Sequence, residues 1–390
     1  MRSWKVSVLY ITVLIALAGI LIGQEQGPNR DPGATVARPR KPASGNTAPT
    51  VEPDLPKIPS KLSKKGEPDT TGLATFKSDV SVVTVDVAVT DNKGHFIPGL
   101  PVCGKPEDCG RTYFRVLEDN VPQQIKSINA GEAPMTVAMV VEFSARFQQF
   151  YGSTWYQTLT AAYGFAQSLK PEDYLAIVAY DIRPEMLSDF TTDRRKTQEA
   201  LQRLNIPGFS EANLYDALTD TADRMSGIEG RKAIVLISSG IDTFSKKNYG
   251  EARKALQESG VPVYAIGLMQ ALRDMADAMG ALGSIARLDF LQADNAMRTF
   301  AKETGGMAFF PRFLGEFPTI FQNIHQALRQ QYVITYNPSN TAHDGTFRKI
   351  KVELVNPATN EPLAMKDEKG KPLKYQILAK AGYKAPREVE

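Results

Sequence analysis

Polar side chains that could bind a ligand follow an apolar segment in the middle of the chain. Residues 136–146 read TVAMVVEFSAR, a run with many β-branched residues that ends in Glu142, Ser144 and Arg146. An uninterrupted apolar run of this kind is typical of a parallel strand that is covered on both faces. In an open α/β sheet, ligands bind in the crevice beyond the carboxyl ends of the strands. We therefore expect the functional site at this strand end.

The residues near this strand end do not match the common enzyme motifs. The turn EFSARFQQFYG has one late glycine, whereas a dinucleotide-binding turn needs several. Neither EFSAR nor ISSGI matches the GxSxG turn of serine hydrolases, so Ser144, Ser238 and Ser239 are interpreted as turn and helix-cap hydroxyls. The paired carboxylates Asp216 and Asp220 fit the first turns of a helix. We expect no enzymatic activity.

Composition bounds the class of protein further. The 390 residues are 42% hydrophobic and 23% charged, which is enough to bury a large core. The formal charge of +3 comes without a Lys/Arg block with interleaved aromatic residues, which argues against a nucleic-acid partner. The three histidines and two cysteines are not at the spacing of a zinc site.

The N-terminal region indicates export. Residues 1–5 carry two positive charges, and residues 6–23 carry none, which is typical of a signal peptide or an N-terminal anchor. Residues 24–75 are rich in proline and predict a disordered tether. We expect a periplasmic, membrane-anchored or secreted protein that contacts the membrane through this segment only if it is uncleaved. In such a compartment Cys103 and Cys109, within PVCGKPEDCG, are expected to form a disulfide.

The remaining chain shows two kinds of pattern. Residues 132–330 alternate strands with helices, which predicts a doubly wound, mostly parallel α/β sheet with right-handed crossovers. Residues 76–131 and 331–386 show the alternation of half-buried strands. Because separate small sheets would have little core, we expect both flanks to form one β-sandwich into which the α/β domain is inserted.

Several separated segments resemble a known family. A strand with a polar turn, a Leu-Tyr-Asp-Ala-Leu helix start and KAIVLISSGID follow one another in the order of a von Willebrand factor A domain. The Val-rich strands ahead of the domain, and the segments 336–338, 347–352 and 382–386 behind it, are similar to the exported VWFA-related proteins of acidobacteria. The resemblance covers about residues 80–386 and implies a module for binding or adhesion to proteins.

The same resemblance implies a metal-ion-dependent adhesion site, from which this chain departs. Glu142 and Ser144 stand at the first Asp and first Ser of the DxSxS motif. Arg146 replaces the second Ser, Ala212 the Thr, and Ser239 the Asp of the TDG turn. Magnesium takes six oxygen ligands, and a nearby guanidinium opposes it. We therefore expect no metal or other cofactor, and expect Arg146 to take the place of the ion beside Glu142.

The function expected from these observations is a non-enzymatic module that binds an unidentified protein of the envelope or extracellular space. One alternative is a Mg²⁺-dependent adhesion module in which Glu142, Ser144, Ser239 and Asp242 hold the ion with help from water or Glu211. Another is a structural envelope scaffold without a ligand. Aromatic residues and arginine beside a strand end are typical of protein interfaces. The expected binding surface consists of Glu142, Phe143, Ser144, Arg146, Phe147, Ser239 and Asp242.

Overall fold

The computed structural model describes residues 82–145, 159, 162–204, 209–280, 283–366 and 369–387. They belong to one compact unit, Thr75–Glu390. The predicted export segment and tether lie outside the described residues, as do Arg146 and Phe147. Within the described part of the chain, no helix combines the length and the apolar character that a membrane span requires.

The described elements alternate as strands and helices between two groups of strands. The strands are β1 (Val83–Asp91), β2 (Phe114–Glu118), β3 (Val121–Gln123), β4 (Ile125–Ala130), β5 (Met135–Glu142), β6 (Tyr174–Tyr180), β7 (Pro184–Thr191), β8 (Arg231–Ser238), β9 (Val263–Gly267), β10 (Ala308–Phe309), β11 (Tyr332–Tyr336), β12 (Phe347–Leu354), β13 (Met365–Lys366), β14 (Pro372–Leu373), β15 (Tyr375–Ala379) and β16 (Gly382–Lys384). The helices are α1 (Pro106–Cys109), α2 (Arg194–Gln202), α3 (Leu214–Ser226), α4 (Tyr249–Ser259), α5 (Gln270–Ala278), α6 (Ser284–Thr304) and α7 (Phe317–Arg329), with a 3-10 turn at Leu314–Glu316. Residues 162–168 are also helical.

The central sheet has the strand order β10-β9-β8-β5-β6-β7. All of its neighbouring strands pair in parallel except β6 and β7. Along β5, Val137, Met139 and Val141 face one hydrophobic core, while Ala138 and Val140 face another. Helices therefore cover both faces, and the predicted mostly parallel α/β sheet is confirmed.

The flanking strands form two antiparallel sheets, with the orders β15-β1-β11-β4 and β16-β12-β2-β3. Each sheet takes two strands from before the α/β block and two from after it. One shared core joins them, with Val85 and Ile334 from the first sheet and Val116 and Val352 from the second. The predicted sandwich of both flanks is therefore present, while the boundaries 76–131, 132–330 and 331–386 stay predictions.

Some strands and helices differ from those expected from the sequence. Strand β7 pairs antiparallel at the edge of the central sheet, and its mixed, half-exposed residues lack the alternation that identifies a strand in sequence. Helix α5 was also not expected. After β2 the chain forms the short hairpin strand β3, and β4 then crosses to pair with β11 in the other sheet.

Candidate functional site

Three neighbouring strands of the central sheet end in polar side chains that lie in a row. Glu142, the last residue of β5, is directly opposite Tyr180, the last residue of β6. On the other side of β5, Val141 is opposite Ile237 of β8, so the next pair of residues in this register is Glu142 and Ser238. Because side chains alternate along a strand, the three point to the same face at the carboxyl edge of the sheet.

The carboxylate of Glu142 is buried and surrounded by donors. Its Oε1 accepts from the hydroxyl of Ser144 at 2.9 Å. Its Oε2 accepts from the backbone N–H of Ser239 at 2.7 Å, from the Ser239 hydroxyl at 2.8 Å and from the Ser238 hydroxyl at 3.0 Å. The Tyr180 hydroxyl donates to the Ser238 oxygen at 2.7 Å. We call Glu142, Ser144, Tyr180, Ser238 and Ser239 the Glu142 cluster.

Burial dominates the electrostatics of this cluster. It raises the pKa of Glu142, an effect opposed by hydrogen bonds from Ser239, Ser144 and Ser238. Burial also raises the pKa of Tyr180 well above its usual value, and the nearby Glu142 carboxylate adds to the rise. The phenol therefore stays protonated and acts as a donor, while Glu142 holds its charge less readily than a carboxylate in water.

The turn after β8 explains how Ser238 and Ser239 reach Glu142. Gly240 has a φ of +79°, and a Cβ at this position would lie 2.5 Å from the terminal methyl of Met297. Glycine therefore permits both the left-handed turn and its close approach to α6. Within the turn, the Ser238 oxygen accepts from the N–H of Gly240 at 2.8 Å. The interpretation of these serines as turn hydroxyls was thus incomplete, because each also binds the carboxylate.

The described residues do not fit the ligand shell of a divalent metal. Ala212, at the position of the family's Thr, is buried in an apolar core and supplies no side-chain oxygen. Both oxygens of Glu142 already accept from protein donors. Among the residues that the structure describes, no group of three or more His, Cys, Asp or Glu side chains is placed to hold a metal. A six-oxygen Mg²⁺ shell would require these hydrogen bonds to be replaced.

The structure separates the other predicted site residues. Asp242 is not part of the Glu142 cluster, because its Oδ1 accepts from the N–H of Tyr215 at 3.2 Å and from the Ser245 hydroxyl. Phe143 is half-buried against the core of the central sheet, so little of its ring faces solvent. Arg146 and Phe147 lie outside the described residues, and the predicted pairing of Arg146 with Glu142 stays a prediction.

The Glu142 cluster is buried, and its expected role as part of a binding surface stays a prediction. Glu142, Ser144 and Ser239 are 2%, 0% and 5% exposed, so they lie beneath the surface. They were expected to contact a partner directly. A buried polar group needs a hydrogen-bond partner. The carboxylate and hydroxyl groups of the cluster meet this need by hydrogen bonding to one another. The cluster therefore supports the surface above it.

Two exposed phenylalanines were missed by the sequence analysis. Phe244 is 58% exposed and Phe209 is 49% exposed. The N–H of Phe244 donates to the Ala212 carbonyl at 3.1 Å, and the carbonyl of Phe209 accepts from the N–H of Ala145 at 2.6 Å. Both rings thus belong to loops joined to the carboxyl edge of the sheet. For Phe244, the sequence signal was an aromatic residue within the polar stretch IDTFSKK.

Comparison with known proteins gives one family match and several similar solved structures. A family model described as von Willebrand factor type A domain matches residues 137–305. No curated protein matches the chain. Similar solved structures include proximal thread matrix protein 1 from the mussel byssus, which is 13% identical, with 51% of this chain and 49% of that chain covered and a TM-score of 0.39. The match thus spans about half of the mussel protein's length.

Two bacterial structures are similar over about half of the chain. The vWF domain of the type V pili tip protein Mfa5 from Porphyromonas gingivalis is 15% identical, with 51% of this chain and 97% of that chain covered and a TM-score of 0.39. The conserved hypothetical protein BatB from Bacteroides thetaiotaomicron is 14% identical, with 50% and 98% covered and a TM-score of 0.39. The family assignment rests on the family model. The chain therefore carries a domain related to von Willebrand factor type A over residues 137–305.

Proposed function

We propose that this protein is an exported, non-enzymatic protein-binding module whose A-type domain binds its partner without a metal ion. The observation that carries the proposal is the hydrogen bonding of Glu142. The carboxylate at the first metal-ligand position accepts from Ser144 through Oε1 and from Ser238 and Ser239 through Oε2. The role of the ion, to hold the loops at this edge together, is taken by hydroxyl and amide donors.

Replacing these donors with a metal is unfavourable. The backbone N–H of Ser239 is buried and donates to Glu142 at 2.7 Å. An ion on the same oxygen would leave that N–H without an acceptor, at a cost of about 1 to 3 kcal/mol. Neither Ala212 nor Ser239 supplies a carboxylate whose bond to the ion would offset this cost. These contacts support a degenerate metal site in which the loops are held by hydrogen bonds alone.

The exposed aromatic rings support a role in protein binding. Aromatic residues are enriched at the centres of protein interfaces, where they bury a large area at low entropic cost. Phe244 is 58% exposed although its backbone is fixed, with its N–H and that of Thr243 donating to the carbonyl of Ala212. A rigid backbone that presents an exposed ring is the arrangement expected of an interface anchor.

Export is proposed from the sequence together with the disulfide. The charged and then apolar N-terminus predicts secretion or anchoring. Cys103 and Cys109 form a disulfide with a Cα–Cα distance of 5.3 Å. Structural disulfides persist mainly in oxidising compartments. Both observations support a partner located in the envelope or outside the cell.

Capture of the partner tests the proposal. The full chain is crosslinked in its native envelope, with and without EDTA, and the captured proteins are compared with those of Phe244→Ser and Phe209→Ser. We expect one reproducible partner, equal yields with EDTA, and a yield at least fivefold lower for Phe244→Ser. Val121→Ser is the control, because Val121 is 51% exposed on the sandwich and its loss removes exposed apolar surface away from the carboxyl edge of the central sheet.

The alternatives give different results in the same experiment. A yield that EDTA abolishes would support a metal-dependent adhesion module. No reproducible partner at all would support a structural envelope scaffold. Equal losses in Phe244→Ser and Val121→Ser would show that the carboxyl edge of the sheet is not the binding face.

A further inference from the structure

An open cleft lies beside the Glu142 cluster. It has a volume of about 690 Å³ and is formed by the loop after β8, the starts of α3 and α4, and one side of α6. Its lining includes Tyr215, Tyr249, Asp242 and Asp289. A cleft of this size accommodates a whole long side chain of a partner.

The described lining of this cleft carries negative charge without compensation. It contains Asp242 and Asp289 and neither lysine nor arginine. The Oδ1 of Asp242 accepts from Tyr215 and Ser245, whereas its Oδ2 accepts no hydrogen bond from the described residues. Asp289 is exposed on α6 and forms no ion pair with any described residue. Each carboxylate therefore has acceptor capacity left for a ligand.

In a neighbouring cleft, the acidic side chains are paired with groups of the protein. Its lining includes Asp216, Asp220, Lys246 and Lys247. Lys247 lies 3.3 Å from Asp220, and the N–H of Lys246 donates to Asp216 at 2.9 Å. The acidic groups there are satisfied within the protein. The uncompensated charge is thus a property of the first cleft rather than of the whole face.

Aromatic rings form one wall of the acidic cleft. The ring centroids of Tyr215 and Tyr249 are 6.3 Å apart, and Phe300 packs behind both at 5.9 Å and 5.4 Å. Tyr249 is 38% exposed. Burial, with Asp242 and Tyr249 nearby, raises the pKa of Tyr215 to about 12, so this phenol remains neutral and can donate. The wall is rigid, uncharged and rich in π-electrons.

We infer that this cleft binds an arginine side chain of the partner polypeptide, an assignment that rests on the function proposed above. Guanidinium groups pair with carboxylates through several N–H donors and also stack on aromatic rings. A lysine ammonium also pairs with carboxylates, but it stacks less well on the tyrosine rings. A metal-bearing face attracts an acidic group of its partner, whereas a metal-free face with two open carboxylates attracts a basic one.

Saturation-transfer difference NMR on the full chain tests the assignment. The probes are the blocked peptide Gly-Gly-Arg-Gly-Gly and the same peptide with citrulline, which keeps the shape and removes the charge. We expect saturation of the arginine methylenes at least fivefold stronger than that of the citrulline methylenes. The isosteric double variant Asp242→Asn/Asp289→Asn should lose this signal, and Tyr249→Ala should weaken it. Asp223→Asn/Glu229→Gln is the charge-matched control, because both residues are exposed and neither lines the cleft.

Defined results would overturn the inference. Equal signals from the two peptides, or an arginine signal that persists in the double variant, would show that the cleft does not recognise the guanidinium. Displacement of the peptide by a tenfold lower concentration of spermidine would assign the cleft to a small polyamine instead. Capture of the partner by Asp242→Asn/Asp289→Asn with the wild-type yield, while Phe244→Ser fails, would remove the arginine assignment and leave the proposed function intact.

Discussion

The backbone N–H of Ser239 donates to the Oε2 of Glu142 across 2.7 Å, joining the end of β5 to the turn after β8. Both residues are buried, since Glu142 is 2% and Ser239 is 5% exposed. A hydrogen bond between a carboxylate and a buried amide is among the stronger ones in proteins. It connects the two loops that border the carboxyl edge of the sheet.

Substitutions of Glu142 should separate its shape from its charge. Glu142→Ala should destabilise the fold by about 2 to 4 kcal/mol, because it leaves a cavity and removes the acceptor for the Ser239 N–H. Glu142→Gln keeps an oxygen for that N–H, and the serine hydroxyls can reorient, so it should stay within about 1 kcal/mol of wild type near neutral pH. Urea unfolding at constant pH measures both values. A loss in Glu142→Gln as large as in Glu142→Ala would show that the charge itself is required.

The same variant should change the pH dependence of stability. Because burial raises the pKa of Glu142 in the folded state, the wild type binds a proton there that the unfolded chain has already released. The free energy of unfolding of the wild type therefore falls as pH rises from about 4.5 through the folded pKa. Relative to wild type, Glu142→Gln should become more stable as pH rises from 4 to 8. An unchanged difference across this range would contradict the raised pKa.

Divalent cations should leave the thermal stability of the protein unchanged. A ligand at 100 times its dissociation constant adds about 2.7 kcal/mol to the free energy of unfolding, which would raise Tm by several degrees. We expect melting curves with excess Mg²⁺, Mn²⁺ or EDTA to coincide. A rise specific to Mg²⁺ that disappears in Glu142→Gln would instead identify a functional metal site.

Removal of the disulfide should weaken the sandwich without abolishing folding. Cys103 and Cys109 are separated by six positions and are 5% and 6% exposed. A covalent loop of this size contributes about 2 to 3 kcal/mol in the chain-entropy model. Urea unfolding of Cys103→Ser/Cys109→Ser should show a loss of this size, and protein isolated under alkylating conditions should contain no free thiol. Two alkylated cysteines in fresh material would argue against an oxidising compartment.

His325 should make stability decrease in mild acid. Its Nε2 lies 2.7 Å from the Ser168 hydroxyl, and burial, together with the charge of Arg329, lowers its pKa to about 4. Between pH 6.5 and 4 the unfolded chain binds a proton that the folded chain does not, so the free energy of unfolding falls as pH falls. Allowing for partial exposure, the loss is about 2 kcal/mol. Urea unfolding at pH 7 and pH 4 measures it, and His325→Gln should reduce the difference.

The sequence by itself determined the class of fold and the edge of the sheet at which Glu142 and Ser239 lie. The apolar run of β5 and the alternation of strands with helices predicted the parallel sheet, because core burial imposes those local patterns. The alternation in β1 and β12 predicted the flanking strands for the same reason. The motif residues located Glu142 and Ser239 because both follow recognisable strands. Local periodicity was weak in β7, and that strand was missed.

Only the tertiary structure decided what the site residues contact. Ser239 and Glu142 are 97 positions apart, and their hydrogen bond depends on the register between β5 and β8. That register follows from the packing of both sheet faces, which no local pattern contains. The same holds for Phe244, whose exposure depends on the loop that its backbone joins at Ala212. A carboxylate can bind a metal, a cation or a neighbouring hydroxyl, and which of these it meets is set by the side chains that the fold brings within hydrogen-bonding distance.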